Sequence, residues 1–170
     1  MSSQRPSDAV DAILQQWQRE RPDLDASPMA VIGRIGRCSA LLRRELEQVF
    51  SHFGLSAWEF DVLATLRRSG DPYCLAPTAL FSALMITSGT MTRQLQQLQA
   101  AGWVSRTANP SDARSLLVQL SPAGLELIDR ALSAHVDNEA RLLAPLPAAT
   151  RLQLAEGLSA LLAILEPASE

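Results

Sequence analysis

Gly89, Thr92, Arg93, Gln96 and Gln97 recur at steps of three and four residues, the spacing that gathers side chains on one stripe of an α-helix. That stripe is polar, carries a single cation and has no carboxylate. Thr, Gln and Arg hydrogen-bond base edges and phosphates, whereas an acid at the same place is repelled by a phosphate backbone. The opposite stripe, Met91, Leu95, Leu98 and Gly102, reads as the side facing a core. Further on, Arg114 sits just after the turn sequence Asn109-Pro110-Ser111-Asp112, close to Asp112. A guanidinium at a hairpin tip suits the narrow, negative minor groove of DNA, and Asp112 is close enough in sequence to hold it in a bidentate pair. Taken alone, the helical stripe also suits an ordinary solvated face. The Asp112–Arg114 pair likewise suits an exposed ion pair of small energetic value.

Other chemistries find little support. The two histidines are His52 and His135, and there is no nucleophile elbow, Gly-rich phosphate loop or HExxH pattern. No enzymatic activity and no cofactor are therefore expected. Cys38 and Cys74 form no CxxC pair and no metal-ligand spacing, so no metal is expected. Cys38 reads as a small core residue on a helix and Cys74 as a loop thiol. The alternative function on the same scaffold is a cysteine redox sensor using Cys38 with His52, or Cys74 alone.

Charge points the same way as the stripe. The 170 residues carry a net charge of −3, and all fifteen basic residues are Arg. From Val62 to Leu120, Arg67, Arg68, Arg93, Arg106 and Arg114 stand against Asp71 and Asp112, so this stretch carries +3 and the remainder −6. A mildly basic middle in an acidic chain fits a local surface for DNA. The composition, 47% hydrophobic and 19% charged, is that of a globular protein. No apolar run approaches the ~18–20 residues that cross a bilayer, and the N-terminus lacks the pattern of a secretory signal. A cytoplasmic location without membrane association is the expectation.

The elements that must position these residues can be read along the chain. An amphipathic helix is predicted over residues 8–20, with Val10, Ile13, Leu14 and Trp17 on one face, ended by Arg21-Pro22. A long helix runs from Met29 to His52 and breaks at Phe53-Gly54. Ser56 and Glu59 form a capping box, with Leu55 and Phe60 as its hydrophobic staple. The helix they start runs to Arg68 and is stopped by Ser69-Gly70-Asp71-Pro72. A short helix follows over 77–84, then one capped by Thr87 or Ser88 that runs to about Ala101. Strands at 103–107 and 115–120 make a hairpin. Ser121-Pro122 starts a helix to Leu143, and a last helix covers 148–165. The fold class is mainly α with a small β-hairpin wing: a winged helix-turn-helix between helical segments too apolar to stand alone.

The run GTMTRQLQQLQAAGWVSR, followed by NPSDARSLLVQLSPAG, resembles the MarR family of bacterial transcription regulators. The resemblance rests on Met91-Thr92-Arg93, Leu95, Leu98, Gly102-Trp103-Val104, Arg106, Asn109-Pro110, Asp112, Arg114, Val118, Leu120-Ser121 and Gly124. It covers residues 29–165 in element order and is most specific over 87–124. The resemblance implies a homodimer whose dimerisation region is residues 29–54 and 121–165. It implies a winged helix-turn-helix DNA-binding lobe at 55–120, a pseudo-palindromic operator, and release by a small anionic or phenolic ligand. The DNA-binding residues it implies are Ser88, Thr90, Thr92, Arg93, Gln96, Gln97, Asp112 and Arg114. Two positions depart from the family pattern: Gln97 stands where a second base-reading Arg is common, and Ala113 where the wing usually carries another basic residue. Both lower the expected phosphate attraction, and Gln97 suits adenine better than guanine.

A narrower resemblance is to the urate-responsive, HucR/PecS-like branch. It is carried by the extra N-terminal helix at 8–22 with Trp17, and by SPMAVIGRIGR, WEFDVLATLRRSGDPYCLAPTAL and LMITSGTMTR. That resemblance implies ligand-binding roles for Trp17, Asp61 and Arg106, with urate or a phenolic acid as effector. Asp61 is chemically notable in its own right, because a carboxylate on a mostly apolar stretch needs a partner. The expectation is thus a ligand-responsive transcriptional regulator, acting as a repressor.

Overall fold

The computed structural model of the chain describes residues 6–84, 91–110 and 112–166. Among these, the order is α1 (Ala9–Glu20), α2 (Met29–His52), α3 (Ala57–Arg68), β1 (Cys74–Leu75), α4 (Pro77–Leu84), α5 (Met91–Ala100), β2 (Val104–Asn109), β3 (Asp112–Leu120), α6 (Pro122–Leu143) and α7 (Ala148–Leu165). The chain divides into two compact units, Met1–Gln48 and Val49–Glu170.

In the first unit, α1 begins at a capping box. The Asp8 carboxylate accepts from the backbone N–H groups of Val10 and Asp11, and the Asp11 carboxylate accepts from the N–H of Asp8. Arg21 closes the helix, its N–H bonded to the Trp17 carbonyl. Val10 is buried, and Gly33 of α2 is bare where it passes: a Cβ there would lie 3.3 Å from a Val10 methyl. Met29, Val31, Ile32, Leu41 and Leu42 of α2 are exposed.

The second unit holds the core. Gly54 adopts φ +71°, and with it the N–H groups of Gly54 and Leu55 bond back to the carbonyls of Ser51 and Phe50, ending α2 in a Schellman motif. Ser56 and Glu59 form the expected capping box, and both members of the expected staple, Leu55 and Phe60, are buried. The core is built from Phe60, Val62, Leu63 and Leu66 of α3, Leu80 of α4, Leu95 and Leu98 of α5, Val104, Val118 and Leu120 of the sheet, and Ile128 and Ala131 of α6. Burying side chains of this kind stabilises by about 1.5–3 kcal/mol each for the larger ones.

Four expectations need correction. The wing is the larger part of a three-stranded antiparallel sheet ordered β1-β3-β2, because Cys74 and Leu75 pair with Gln119 and Val118. Cys74 therefore lies in a short strand and not in a loop. Gly102, expected on the core stripe, is exposed with φ +77° and ends α5. Cys38 is exposed on α2 and fills no core position within the chain. Finally, the 18 residues of α7 have a mean hydropathy of 1.3 and none is buried, so by length and composition this helix matches a membrane span, although Arg151 and Glu156 interrupt its apolar run.

Candidate nucleic-acid interface

Along α5, Leu95 and Leu98 are buried while Arg93, Gln96 and Gln97 are exposed. The three described members of the polar stripe therefore face solvent together, on the side away from the core. Ser88 and Thr90, the expected cap at Thr87 or Ser88, and the side chains of Thr92, Asp112 and Arg114 lie outside the described residues.

The end of α5 is tied to the start of α6. Gly102 and Trp103 donate to the carbonyls of Gln99 and Leu98 at 3.0 Å each, a second Schellman motif. The Ser121 hydroxyl caps α6 by accepting from the Gly124 N–H at 2.9 Å, and it donates to the Gly102 carbonyl at 2.6 Å. The Ser121 N–H adds a bond to the Trp103 carbonyl. One serine thus joins the stripe-bearing helix, the root of the wing and α6.

The wing itself pairs Val104 with Leu120, Arg106 with Val118 and Ala108 with Leu116, and the register shifts between Ala108 and Asn109. Directly opposed residues in an antiparallel pair share a face. Arg106 accordingly stands on the same face as buried Val104, Val118 and Leu120, although it is itself exposed. Asn109 donates from its side-chain amide to the Ser115 hydroxyl at 2.7 Å, closing the neck of the hairpin.

Asp61 is exposed on α3 of the second unit. Crowding by protein pushes its carboxyl above the usual aspartate range, and the charges of His135 and Arg68 partly oppose that rise. Trp17, the third effector candidate, belongs to the first unit and is partly exposed.

Three groups escaped the sequence reading. Phe50 and Phe60 stack at 4.2 Å and His135 lies against both rings, with its Nε2 3.2 Å from Glu139. The His135 Nδ1 and the Trp58 indole N–H are buried without a hydrogen-bond partner among the described residues. Arg67 pairs with Asp129 at 2.7 Å and covers the Tyr73 ring at 4.8 Å, linking α3, α6 and the turn before β1. Tyr73, at φ 57°, passes its carbonyl to the Leu120 N–H. Apart from the His135–Glu139 pair, four residues apart on α6, the partners in these groups sit on different elements, so no local spacing announces them.

Residues 53–115 match the family model described as MarR family. The chain is 49% identical over 136 residues to the HTH-type transcriptional regulator PecS of Dickeya dadantii, covering 80% of this chain and 82% of that protein. A solved structure of a cysteine-to-serine mutant of MarR from E. coli, complexed with operator DNA, superposes with a TM-score of 0.68 at 26% identity, covering 92% of this chain and 99% of that one. A MarR family transcriptional regulator from Streptomyces coelicolor, in complex with DNA, shares the fold with a TM-score of 0.74 at 24% identity over 85% of this chain and 95% of that one. Family membership implies a regulator and not an enzyme. The chain belongs to the MarR family of winged-helix transcriptional regulators, on its PecS-like branch.

Proposed function

We propose that the chain is a homodimeric repressor that binds a pseudo-palindromic operator and is released by a small anionic or phenolic ligand. The observation that carries the DNA-binding part is the exposed, acid-free stripe of Arg93, Gln96 and Gln97 on α5, seated by buried Leu95 and Leu98. The DNA complexes of related proteins support the same reading. Ser88, Thr90, Thr92, Arg93, Gln96 and Gln97 serve the major groove and its phosphates, and Arg114 with Asp112 the minor groove. Gln97 and Ala113 make this operator preference differ from that of relatives with Arg at those places. An electrophoretic mobility assay on DNA flanking the chain's own gene tests this. A salt-sensitive specific shift that Arg93→Ala weakens is expected; no specific shift, or an unchanged one in the variant, refutes it.

Residues 29–54 and 121–165 form the dimerisation region in this reading, and 55–120 the DNA-binding lobe. The support is the apolar surface left open on α7, at Leu152, Leu154, Leu158, Leu162, Ile164 and Leu165, and on α2. A helix apolar over most of its surface is a buried helix in its working state, and a second copy of the chain supplies the cover. The two charges within α7 and the location expected of a regulator favour a protein partner in the cytoplasm over a bilayer.

Trp17, Asp61 and Arg106 are the effector candidates, with urate or a phenolic acid as the ligand. The similarity to PecS supports that choice, as does the unbalanced carboxyl of Asp61. Thermal shift with urate and salicylate is the test, since a ligand that binds the folded state raises its melting temperature. Stabilisation by neither removes the effector reading.

A further inference from the structure

A helix of twelve residues is marginal by itself in water, and α1 has a single buried residue, Val10. Ile13 and Trp17, on the same face, remain 46% and 40% exposed. Leu14 is half-buried, so apolar burial explains only part of why α1 stays against α2. What lies at their junction is Arg34. Its Nε donates to Asp8 Oδ2 at 2.9 Å, its Nη2 to Asp11 Oδ1 at 2.6 Å and to Asp8 Oδ1 at 3.2 Å, and its Nη1 to the Ala30 carbonyl at 2.8 Å. All three guanidinium nitrogens are engaged, and the Arg34 and Asp11 side chains are 29% and 20% exposed. A fork that bridges two carboxylates in this way is a strong, directional contact, and a lysine cannot reproduce it.

The same two carboxylates form the capping box that starts α1. The start of the helix and its attachment to α2 are therefore one network. At the other end of α1 the chain returns through residues 21–28, where Arg21 is paired with Asp23 and not with α2.

We propose that Arg34 is a positioning residue that latches α1 to α2 through Asp8 and Asp11 and thereby sets where Trp17 is held. Its functional consequence rests on the effector reading given under Proposed function. Without the latch, Val10 and the bare Gly33 contact remain the described anchor of α1, and Trp17 is carried away from its place with the rest of the helix.

Hydrogen–deuterium exchange on the full chain tests the latch directly. Arg34→Ala is expected to speed exchange of the α1 amides by about tenfold while α3 and α6 keep their protection. Arg34→Lys, which keeps the charge but not the fork, is expected to fall between the variant and wild type. Asp11→Asn, a change of nearly equal shape, is the second route should Arg34→Ala not fold, and it is expected to loosen α1 in the same sense. Unchanged α1 exchange in the folded variants overturns the latch. The functional arm uses urate as probe: Arg34→Ala keeps its operator affinity without urate but needs more urate for release. Unchanged urate dependence in a variant whose α1 is loosened overturns the positioning role. Should urate and salicylate leave wild type unaffected while α1 loosens as expected, the effector reading fails and the latch stands.

Discussion

Gly124 lies directly on the backbone of Trp103. A Cβ at Gly124 would overlap the Trp103 carbonyl oxygen and come within 2.9 Å of its carbon. The contact is with backbone, which cannot rotate aside, so glycine is required here by space alone. Gly124→Ala is expected to destabilise the protein by about 1–3 kcal/mol, as overpacking of a fixed site does. Urea unfolding checks this: the midpoint falls with little change in slope.

Leu66 makes the converse case. It is fully buried on α3 among the largest core side chains. Leu66→Ala is expected to cost about 2–5 kcal/mol, the sum of lost transfer energy and an unfilled cavity. A melting temperature within a degree of wild type contradicts the core described above.

Arg93 and Gln97 separate affinity from preference. Arg93→Ala is expected to weaken operator binding by about 1–3 kcal/mol and to flatten its salt dependence. Gln97→Arg adds a cation to the same exposed stripe and is expected to steepen the salt slope by about one unit. It also shifts preference from adenine toward guanine at one position of each half-site. Fluorescence anisotropy across a salt series reads both effects.

Asp61 gives a pH dependence whose sign follows from its surroundings. Its carboxyl titrates above the ordinary value of 3.8, chiefly because protein crowds it. A carboxyl raised in the folded state holds its proton better folded than unfolded. Its favourable contribution is full below the unfolded value and is lost as pH rises through the folded one. Asp61→Asn is therefore expected to be more stable than wild type at neutral pH, and the gap closes on acidification into the carboxylate range. Thermal melts from neutral to acidic pH measure it, and an effect of opposite sign at pH 7 contradicts the cause given.

Much of the fold was legible because its punctuation is local. The capping boxes at Asp8–Asp11 and Ser56–Glu59, the helix start at Ser121-Pro122 and the stop at Gly54 each rest on residues within a few positions of one another. They set the starts of α1, α3 and α6 and the end of α2. Strand β1 was not legible, since two residues pair with partners more than forty positions away and carry no periodicity of their own. Gly102 was misplaced because stripe position and helix-end chemistry compete at the last turn, and the left-handed conformation that glycine permits won. Cys38 was misread because apolar character does not tell a core position from a surface left open on one chain. The exposed side of α5 was readable from composition, whereas the His135 and Arg67 groups depend on tertiary meetings that spacing does not encode.

The shared hydroxyl of Ser121 has a mechanical consequence. Because it bonds to both the end of α5 and the start of α6, α6 acts as a lever arm fixed to the wing root. Its 22 residues span about 33 Å at about 1.5 Å per residue. A swing of about 5° at the far end of such an arm carries its fixed end through about 3 Å, close to the ~3.4 Å rise of one base step. In the proposed reading, a displacement of that size puts the stripe out of register with the operator.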